Sequence, residues 1–278
     1  MSVTQRIDGV PVPLERPFPL EFLHHFGTVF RSLGNTGSPN LCFGVQNGVK
    51  RYFVKFAGAP TIGFRDSADD AIAWLTAAIP IYQACKHPHL IRFLRAEEIG
   101  GGVAAVFEWT DALGVGRMYP QSHARFQALP AEKRLRAYRD ILWLHAHIAA
   151  QGYVAIDFYD GSIMYDFARD AVIVCDIDYY QKSPYTGDMG LLGSTKFVSP
   201  EEITPGAVMD EITMVYTMGA TAFALFGGFH RARDTWTLSA ALYDVAVRAV
   251  SSDRARRQQS IQQLIAEWTA AETAFRSL

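Results

Sequence analysis

The sequence predicts an α+β fold with antiparallel strands in its first part and mainly helices in its second. β-rich segments separated by glycine-containing turns occupy much of residues 26–107. Apolar residues recur at helical spacing over 131–151, and residues 213–228 are apolar all round, as in a core helix. A less regular stretch after residue 107 marks a boundary between two lobes. We therefore divide the chain into three parts: an N-terminal extension of residues 1–22, an N-lobe of residues 23–111 and a C-lobe of residues 112–278.

Composition excludes several classes of protein. The chain has 278 residues, 49% of them hydrophobic, and a formal net charge of -2. This balance favours neither nucleic acid nor an anionic membrane as a partner. Cys42, Cys85 and Cys175 lie in apolar surroundings without C-x-x-C spacing, which predicts buried thiols in a reducing compartment. No apolar signal core or spanning segment is present, so we expect a cytoplasmic protein, with one linker-like segment at Pro11–Pro19.

The first strands form a predicted antiparallel meander. Its strands are Phe26–Leu33, Leu41–Gln46 and Tyr52–Phe56, and the second turn contains Asn47-Gly48, a strong hairpin signal. The loop of residues 34–40 joins the first two strands. Gly34 and Gly37, followed by Ser38, would let the backbone N–H groups of this loop approach phosphates closely.

Lys55 is a charge in the middle of an apolar strand. Two explanations are open: an edge lysine that discourages aggregation, or a lysine that reaches the α and β phosphates of a nucleotide. A helix follows over residues 67–86, where Pro80 predicts a kink or an early end. Its predicted buried face consists of Ala71, Leu75, Ile79 and Tyr82.

A second hairpin carries the candidate catalytic acids. Ile163–Tyr165 and Val172–Val174 are the predicted strands, joined by a polar turn. Asp157 and Ser162 precede the first strand, and Asp176 and Asp178 follow the second, so all four would lie at the same end. One acid would orient a hydroxyl while the others hold a cation, as phosphoryl transfer requires. The alternative is that Asp157, Asp160 and Asp176 are turn and cap acids.

The order of these features resembles the protein kinase-like superfamily, in particular the bacterial eukaryotic-like Ser/Thr kinases, from about residue 26 to residue 268. Lys55 looks like the lysine of the third strand, and Asp157 looks like the catalytic aspartate. Ser162 stands at the asparagine position, and Asp176 at the aspartate of D-F-G. The hinge that holds adenine would consist of Glu108, Trp109, Thr110 and Asp111.

Later motifs extend the resemblance. GSTKFVSPE, residues 193–201, is similar to G-T-P-x-Y-x-A-P-E, which would place Ser194 against the catalytic aspartate. Residues 213–228 resemble the buried helix that follows this motif in kinases. The resemblance also implies a buried ion pair between Arg257 and Glu201. We expect this to be the one structural ion pair of the basic cluster around residue 254.

Several positions depart from the kinase pattern. Ala155 and Ile156 replace the His and Arg of H-R-D, and Tyr159 replaces a lysine. Met214 replaces the aspartate that ties the buried helix to the catalytic loop. The helix of residues 67–86 has no glutamate, so an ion pair with Lys55 would be absent or made by an aspartate: Asp66, Asp69 or Asp70.

Three functions follow from the resemblance. The first is an ATP-dependent phosphotransferase, Ser/Thr protein kinase-like, that uses ATP and Mg²⁺. The second is a kinase-like phosphotransferase for a small hydroxyl compound such as an antibiotic or a sugar. The third is a pseudokinase that acts as a binding module. In the enzyme interpretations the catalytic residues are Asp157, Lys55 and Ser194, the metal ligands are Asp176, Asp178 and Ser162, and no nucleic acid or membrane partner is expected.

Overall fold

The computed structural model describes residues 2–33, 37–187 and 194–276. The fold is α+β, with antiparallel sheets and, in these ranges, six α-helices. Contacts divide the chain into two compact units. Unit 1 comprises Met1–Lys86 and Ile91–Asp111, and unit 2 comprises His87–Leu90 and Ala112–Leu278.

Unit 1 contains most of the strands. Its elements are β1 (Val3–Ile7), β2 (Val10–Leu14), β3 (Thr28–Leu33), β4 (Asn40–Asn47), β5 (Lys50–Ala57), α1 (Ala68–Ala84), β6 (Phe93–Ile99) and β7 (Gly102–Glu108). The predicted meander is confirmed as β3, β4 and β5, within a five-stranded antiparallel sheet of order β3-β4-β5-β7-β6. Lys55 lies on the central strand β5, so its interpretation as an edge lysine is wrong.

The N-terminal hairpin β1–β2 contributes to the core of unit 1. Val12 and Leu14 are fully buried, and they belong to the same cluster as Phe43, Val54 and Phe56 of the sheet. The expectation of a linker at Pro11–Pro19 is therefore wrong, and residues 1–22 belong to unit 1. The pattern of β2 explains the error, because Pro11 and Pro13 occupy exposed positions that alternate with buried ones.

Helix α1 packs on the other face of the sheet. Directly paired residues of antiparallel strands share a face, so Cys42, Lys55 and Ala105 lie on one face, and Phe53 and Phe107 lie on it too. Tyr82 of α1 contacts Phe107, with ring centroids 4.9 Å apart. Lys55 is only 6% exposed, so its stem lies among these apolar groups.

Two details of this region differ from expectation. The helix continues beyond Pro80 to Ala84, so the early end is wrong, and its buried face contains Ala78 and Ile81, whereas Ile79 is half-buried. The next strand begins at Phe93. Leu90, which belongs to unit 2, forms a parallel bridge with Val174 of the same unit.

Unit 2 contains most of the helices. Its elements are β8 (Leu113–Gly114), α2 (Pro120–Gln127), α3 (Ala131–Ala150), β9 (Tyr153–Val154), β10 (Ile163–Asp166), β11 (Ala171–Val174), β12 (Gln181–Lys182), α4 (Glu211–Phe226), α5 (Ala240–Ala249) and α6 (Ile261–Arg276). The β10–β11 hairpin is confirmed as antiparallel, with Ile163 opposite Val174. The core helix is confirmed as α4, which is buried continuously from Thr213 to Phe226.

The cysteines and the helices bear on where the protein can reside. None of the three cysteines, all within the described residues, forms a disulfide; Cys85 is buried, whereas Cys42 and Cys175 are half-buried. Among the helices in the described ranges, none has the length and apolar character that crossing a bilayer demands.

A buried ion pair anchors the segment after Ser194. The guanidinium of Arg257, fully buried, donates to both oxygens of Glu201 at 2.6 and 3.0 Å, which confirms the predicted pair. The expectation of a single structural pair is wrong, because Arg254 also binds Glu201 and forms a bidentate pair with Asp210. Asp210 caps the N-terminus of α4, so the network joins this segment to the core helix.

Replacing Arg257 by Ala should lower the free energy of unfolding by about 3–5 kcal/mol, because it leaves the Glu201 carboxylate buried with one fewer cation. Urea unfolding followed by circular dichroism measures this change. Arg256→Ala is the matched control, since Arg256 is exposed and pairs with exposed Asp253 at 3.4 Å, and it should change stability by less than about 0.5 kcal/mol. Equal effects of the two substitutions would contradict the structural role of the pair.

Candidate functional site

The candidate catalytic loop, residues 157–162, connects β9 to β10. Asp157 adopts a left-handed conformation with φ 63°, which turns the chain away from the buried residues Ala155 and Ile156. A short 3-10 turn follows over Asp160–Ser162, in which the Ser162 N–H donates to the Tyr159 carbonyl at 3.0 Å. The loop is thus held by its own backbone.

A hydrogen bond joins this loop to the end of β11. The Cys175 N–H donates to the Ser162 carbonyl at 2.9 Å, which extends the β10–β11 pairing by one step. Asp176 comes next, and its backbone is also left-handed, with φ 60°. Asp157, Ser162 and Asp176 therefore lie at the same end of the hairpin, as the sequence predicts.

Asp157 is the most perturbed acid of the loop. Its Oδ1 atom is buried, and no group in the described ranges hydrogen-bonds to it. Burial is the main cause that raises the pKa of Asp157 to about 7, and the negative charges of Asp176, Glu202 and Asp178 raise it further. A carboxylate with this pKa exchanges protons near neutral pH, as a general base does.

Ser162 is almost completely buried, at 1% exposure, and its hydroxyl oxygen has no hydrogen-bond partner in the described part of the chain. Asp178 is half-buried and Asp176 is exposed. No group of three or more His, Cys, Asp or Glu side chains that could hold a metal ion is found across residues 2–33, 37–187 and 194–276. A metal here would be bound by two carboxylates and a hydroxyl.

Asp160 has a structural role. Its Oδ2 atom accepts a hydrogen bond from the Arg117 N–H at 2.8 Å. A Cβ atom on Gly116 would lie 2.8 Å from the Asp160 carbonyl oxygen, so only glycine fits against the loop at that position. Asp160 is therefore a turn acid, which is the alternative role that the sequence left open for it.

Glu202 is a residue of this region that sequence reasoning missed. Its carboxylate accepts a hydrogen bond from the Ser199 N–H at 2.7 Å, and burial raises its pKa. Glu202 is also one of the charges that raise the pKa of Asp157. Its proximity depends on tertiary structure, because 45 positions separate the two residues and nothing in the local pattern distinguishes Glu202 from Glu201.

Two tyrosines lie beside the acids. The ring of Tyr159 covers Gly161, where a Cβ atom would come within 2.4 Å of it, and Tyr119 covers Gly114 in the same way at 2.3 Å. Burial, followed by the charges of Asp157 and Asp176, raises the pKa of Tyr159 to about 12, so its phenol stays protonated at physiological pH. Tyr119 was not predicted, since no motif includes it.

In unit 1, the structure describes part of the predicted phosphate loop. Gly34 lies outside the described residues. The Gly37 N–H donates to the Ile62 carbonyl at 2.8 Å, and the Ser38 carbonyl accepts from the Thr61 hydroxyl at 2.6 Å. These groups bind the neighbouring segment of the protein, which accounts for the shape of the loop after Gly37.

The acids of α1 do not lie on its buried face. Asp66, Asp69 and Asp70 are all exposed, and Asp70 accepts hydrogen bonds from the backbone and side chain of Ser67 in the helix cap. The side chain of Asp70 is therefore committed to the helix terminus. The buried face that packs on the sheet carries only apolar residues and Tyr82.

The residues of the predicted hinge end β7. Glu108 pairs with exposed Arg92, and the Asp111 carboxylate binds Arg51 and the Trp109 indole N–H. The backbone N–H of Trp109 donates to the Arg51 carbonyl at 3.2 Å. This N–H is therefore part of the hydrogen-bond ladder between β5 and β7. Thr110 is half-buried.

An aromatic pair lies on the Lys55 face of the sheet. The rings of Phe30 and Trp109 meet edge to face, 4.9 Å apart, over Gly44. A Cβ atom on Gly44 would lie 2.6 Å from Phe30 and 2.8 Å from Trp109. Gly44 pairs with Phe53, whose side chain points to the same face as Lys55 two residues along β5. An aromatic surface and a buried lysine therefore share one face of unit 1.

Ser194 begins a described segment and is half-buried; its carbonyl accepts a hydrogen bond from the Phe197 N–H at 2.9 Å. Gly193, the first residue of the predicted motif, lies outside the described residues. Ser199, Pro200 and Glu201 follow, and the ion pair with Arg257 holds Glu201 in place.

Two comparisons with known proteins find no match. The chain matches no model of a protein family, and a search of curated proteins finds no significant match. The site is therefore interpreted from its own residues.

Stability should depend on the protonation of Asp157. A pKa of about 7 in the folded protein, against about 3.9 in an unfolded chain, means that the folded state holds the proton more tightly. Stability from this group is therefore greatest below about pH 4 and is lost as pH rises towards 7. In EDTA at pH 8, Asp157→Asn should raise the free energy of unfolding by about 1–3 kcal/mol, and the gain should disappear by about pH 4.

Urea unfolding over this pH range measures the effect. Asp234→Asn, which changes an exposed aspartate of unit 2, is the control and should follow the wild-type curve. An Asp157→Asn protein whose stability parallels the wild type at every pH would show that Asp157 does not retain a proton near neutral pH.

Proposed function

We propose that this protein is an ATP-dependent phosphotransferase with a two-lobed, protein kinase-like fold, which transfers the γ-phosphate to a Ser or Thr hydroxyl of a protein. One observation carries the proposal. Asp157 presents a buried carboxylate oxygen without a hydrogen-bond partner in the described ranges, and the charges of Asp176 and Asp178 act on it from the end of the same hairpin. Turn acids normally use their oxygens to bind the local backbone, as Asp160 does.

In this proposal Asp157 is the catalytic base. Its oxygen accepts the proton of the attacking hydroxyl and orients that hydroxyl towards the phosphate. Because burial, together with the charges of Asp176, Glu202 and Asp178, raises the pKa of Asp157 to about 7, part of the carboxylate is ionised near neutral pH and can accept the proton during transfer.

Asp176, Asp178 and Ser162 would hold Mg²⁺, which would neutralise negative charge on the phosphate oxygens when bound. Mg²⁺ is commonly held in proteins by one or two carboxylates together with phosphates and waters. The buried hydroxyl of Ser162, which has no hydrogen-bond partner among the residues that the structure describes, fits such a role, because a buried polar group without a partner is costly unless a ligand satisfies it.

Unit 1 would supply the nucleotide-binding groups. Lys55 is proposed to bind phosphates, because it places a cation on the central strand of the sheet. The Phe30 and Trp109 rings offer an aromatic surface to the base on the same face of the sheet. The Glu108–Asp111 stretch, with Trp109 in it, is the proposed contact with adenine.

The acceptor is proposed to be a protein because of the Ser194–Glu201 segment. The Arg257 and Arg254 pairs with Glu201 fix this segment to the core helix, which gives a peptide a rigid surface to bind. We propose that the protein works in the cytoplasm, where ATP is available and where cysteines that form no disulfide in the described structure stay reduced.

A nucleotide-binding module without catalysis is the second candidate. The observation that favours it is the position of the α1 acids, which are exposed and, for Asp70, bound in the helix cap. If no acid of α1 orients Lys55, phosphates could bind without being aligned for transfer.

Turnover of ATP separates the two candidates. With a serine-containing protein such as casein as acceptor, the wild type should form ADP, and Asp157→Asn should lower kcat by about 100-fold or more because the base is lost. Asp176→Asn should lower kcat at least as strongly, whereas Asp234→Asn should match the wild type. A coupled assay for ADP, with mass spectrometry of the acceptor, gives both readouts.

Two outcomes would contradict the proposal. If all four proteins show the same ADP formation, the activity belongs to a contaminant. If none forms ADP although the wild type binds ATP, the protein is the binding module.

A further inference from the structure

Three cationic side chains lie close to Phe229 or to one another in unit 2. Arg117 follows β8, Lys196 lies two residues after Ser194, and Arg231 follows α4. All three are exposed; Arg117 and Lys196 lie over the ring of Phe229, which is 8% exposed, and Arg231 contacts the Lys196 carbonyl. We call these three residues the Phe229 cation group.

Neutral contacts fix each member of the group. The Arg117 guanidinium lies 3.9 Å from the centroid of the Phe229 ring, and the Lys196 amine lies 5.8 Å from the same centroid. The Lys196 amine also donates to the Phe229 carbonyl at 3.5 Å. Arg231 donates to the Lys196 carbonyl at 3.3 Å and to the Tyr216 hydroxyl at 3.0 Å. These contacts fix the positions of the three side chains, although all three remain exposed to solvent.

In the parts of the chain that the structure describes, none of the three side chains forms an ion pair. Arg254 and Arg257, in the same unit, bind Glu201 and, for Arg254, Asp210. Like charges held near one another repel. An anion bound between them would offset that repulsion and would accept charge-assisted hydrogen bonds from them.

The backbone of Phe229 also indicates a constrained position. Its φ of 68° is unusual for a bulky residue, and its N–H donates to the Phe223 carbonyl at the end of α4. Such conformations are unfavourable for a bulky residue and persist where the surroundings impose them. Here the conformation holds the ring beneath Arg117 and Lys196.

The group lies beside the candidate catalytic loop. The Arg117 N–H donates to Asp160, which belongs to that loop. Tyr159, two residues after Asp157, packs against the cluster that contains Phe197 and Phe229. Phe197 is adjacent to Lys196 and three residues after Ser194. An acceptor whose hydroxyl reaches Asp157 would therefore meet these cations with a neighbouring group.

We propose that the Phe229 cation group binds an anionic group, a phosphate or a carboxylate, on the acceptor substrate, so that the hydroxyl next to that group is the one presented to Asp157. This inference rests on the proposed phosphotransferase function and specifies its substrate. Guanidinium groups suit phosphate and carboxylate because they donate parallel hydrogen bonds.

Binding without nucleotide tests the inference apart from catalysis. Fluorescence anisotropy would compare two short labelled peptides, each with one acceptor serine, flanked in one by a phosphoserine and in the other by a lysine. The full chain should bind the phosphoserine peptide more tightly, by about tenfold, and the preference should shrink as NaCl is raised.

Arg117→Gln and Lys196→Gln should each weaken binding of the phosphoserine peptide by about fivefold or more. Arg125→Gln is the matched control. Arg125 is an exposed arginine of α2 that stacks on the single ring of Phe167 at 4.0 Å, almost the distance of Arg117 from Phe229. It should leave binding unchanged. Equal binding of the two peptides, or equal effects of Arg117→Gln and Arg125→Gln, overturns the inference, as does failure of every probe to bind.

Competition with free phosphoserine identifies the source of the anion. If free phosphoserine displaces the peptide only at a concentration far above the Kd of the peptide, the acceptor is a peptide. If it displaces the peptide at a concentration similar to that Kd, the acceptor is a small phosphorylated compound. Either result requires the anion site. If the binding pattern holds but no acceptor supports ADP formation, the phosphotransferase function fails while the anion site stands.

Discussion

The hydrogen bond from the Cys175 N–H to the Ser162 carbonyl is the interaction on which the candidate site depends. It continues the pairing of β10 with β11 by one step, so the residues before one strand and after the other are forced together. Asp157, Ser162 and Asp176 become neighbours because of this register. A shift of one residue would turn the side chains of one strand to the opposite face and separate the acids from the hydroxyl.

Much of the fold could be predicted because its signals are local. Asn47-Gly48 indicated the turn between β4 and β5, and the apolar surface of α4 indicated a core helix, which the structure confirms. Lys55 was conspicuous as a charge within an apolar strand, but its place on a central strand required the sheet order. The hairpin β1–β2 was missed because its prolines resemble a linker until their alternation with Val12 and Leu14 is noticed.

The remainder of the site depends on contacts between distant segments, which a single sequence does not reveal. Glu202 lies near enough to Asp157 for its charge to raise the pKa of Asp157. In the same way, Asp176 lies near enough to Tyr119 to raise the pKa of Tyr119. The Phe229 cation group draws one residue from each of three separate segments. The ion pair of Glu201 with Arg257 is the exception, since the resemblance of the surrounding motifs implied it and the structure confirms it.

A thermal-shift titration tests the central claim, that the carboxylates of unit 2 hold a metal on a bound nucleotide. ATP with Mg²⁺ should stabilise the wild type by about 2.7 kcal/mol at one hundred times Kd, and ATP or Mg²⁺ alone should have a much smaller effect. Asp176→Asn should lose the dependence on metal. A melting temperature that is the same with ATP, with Mg²⁺ and with both together would contradict the account.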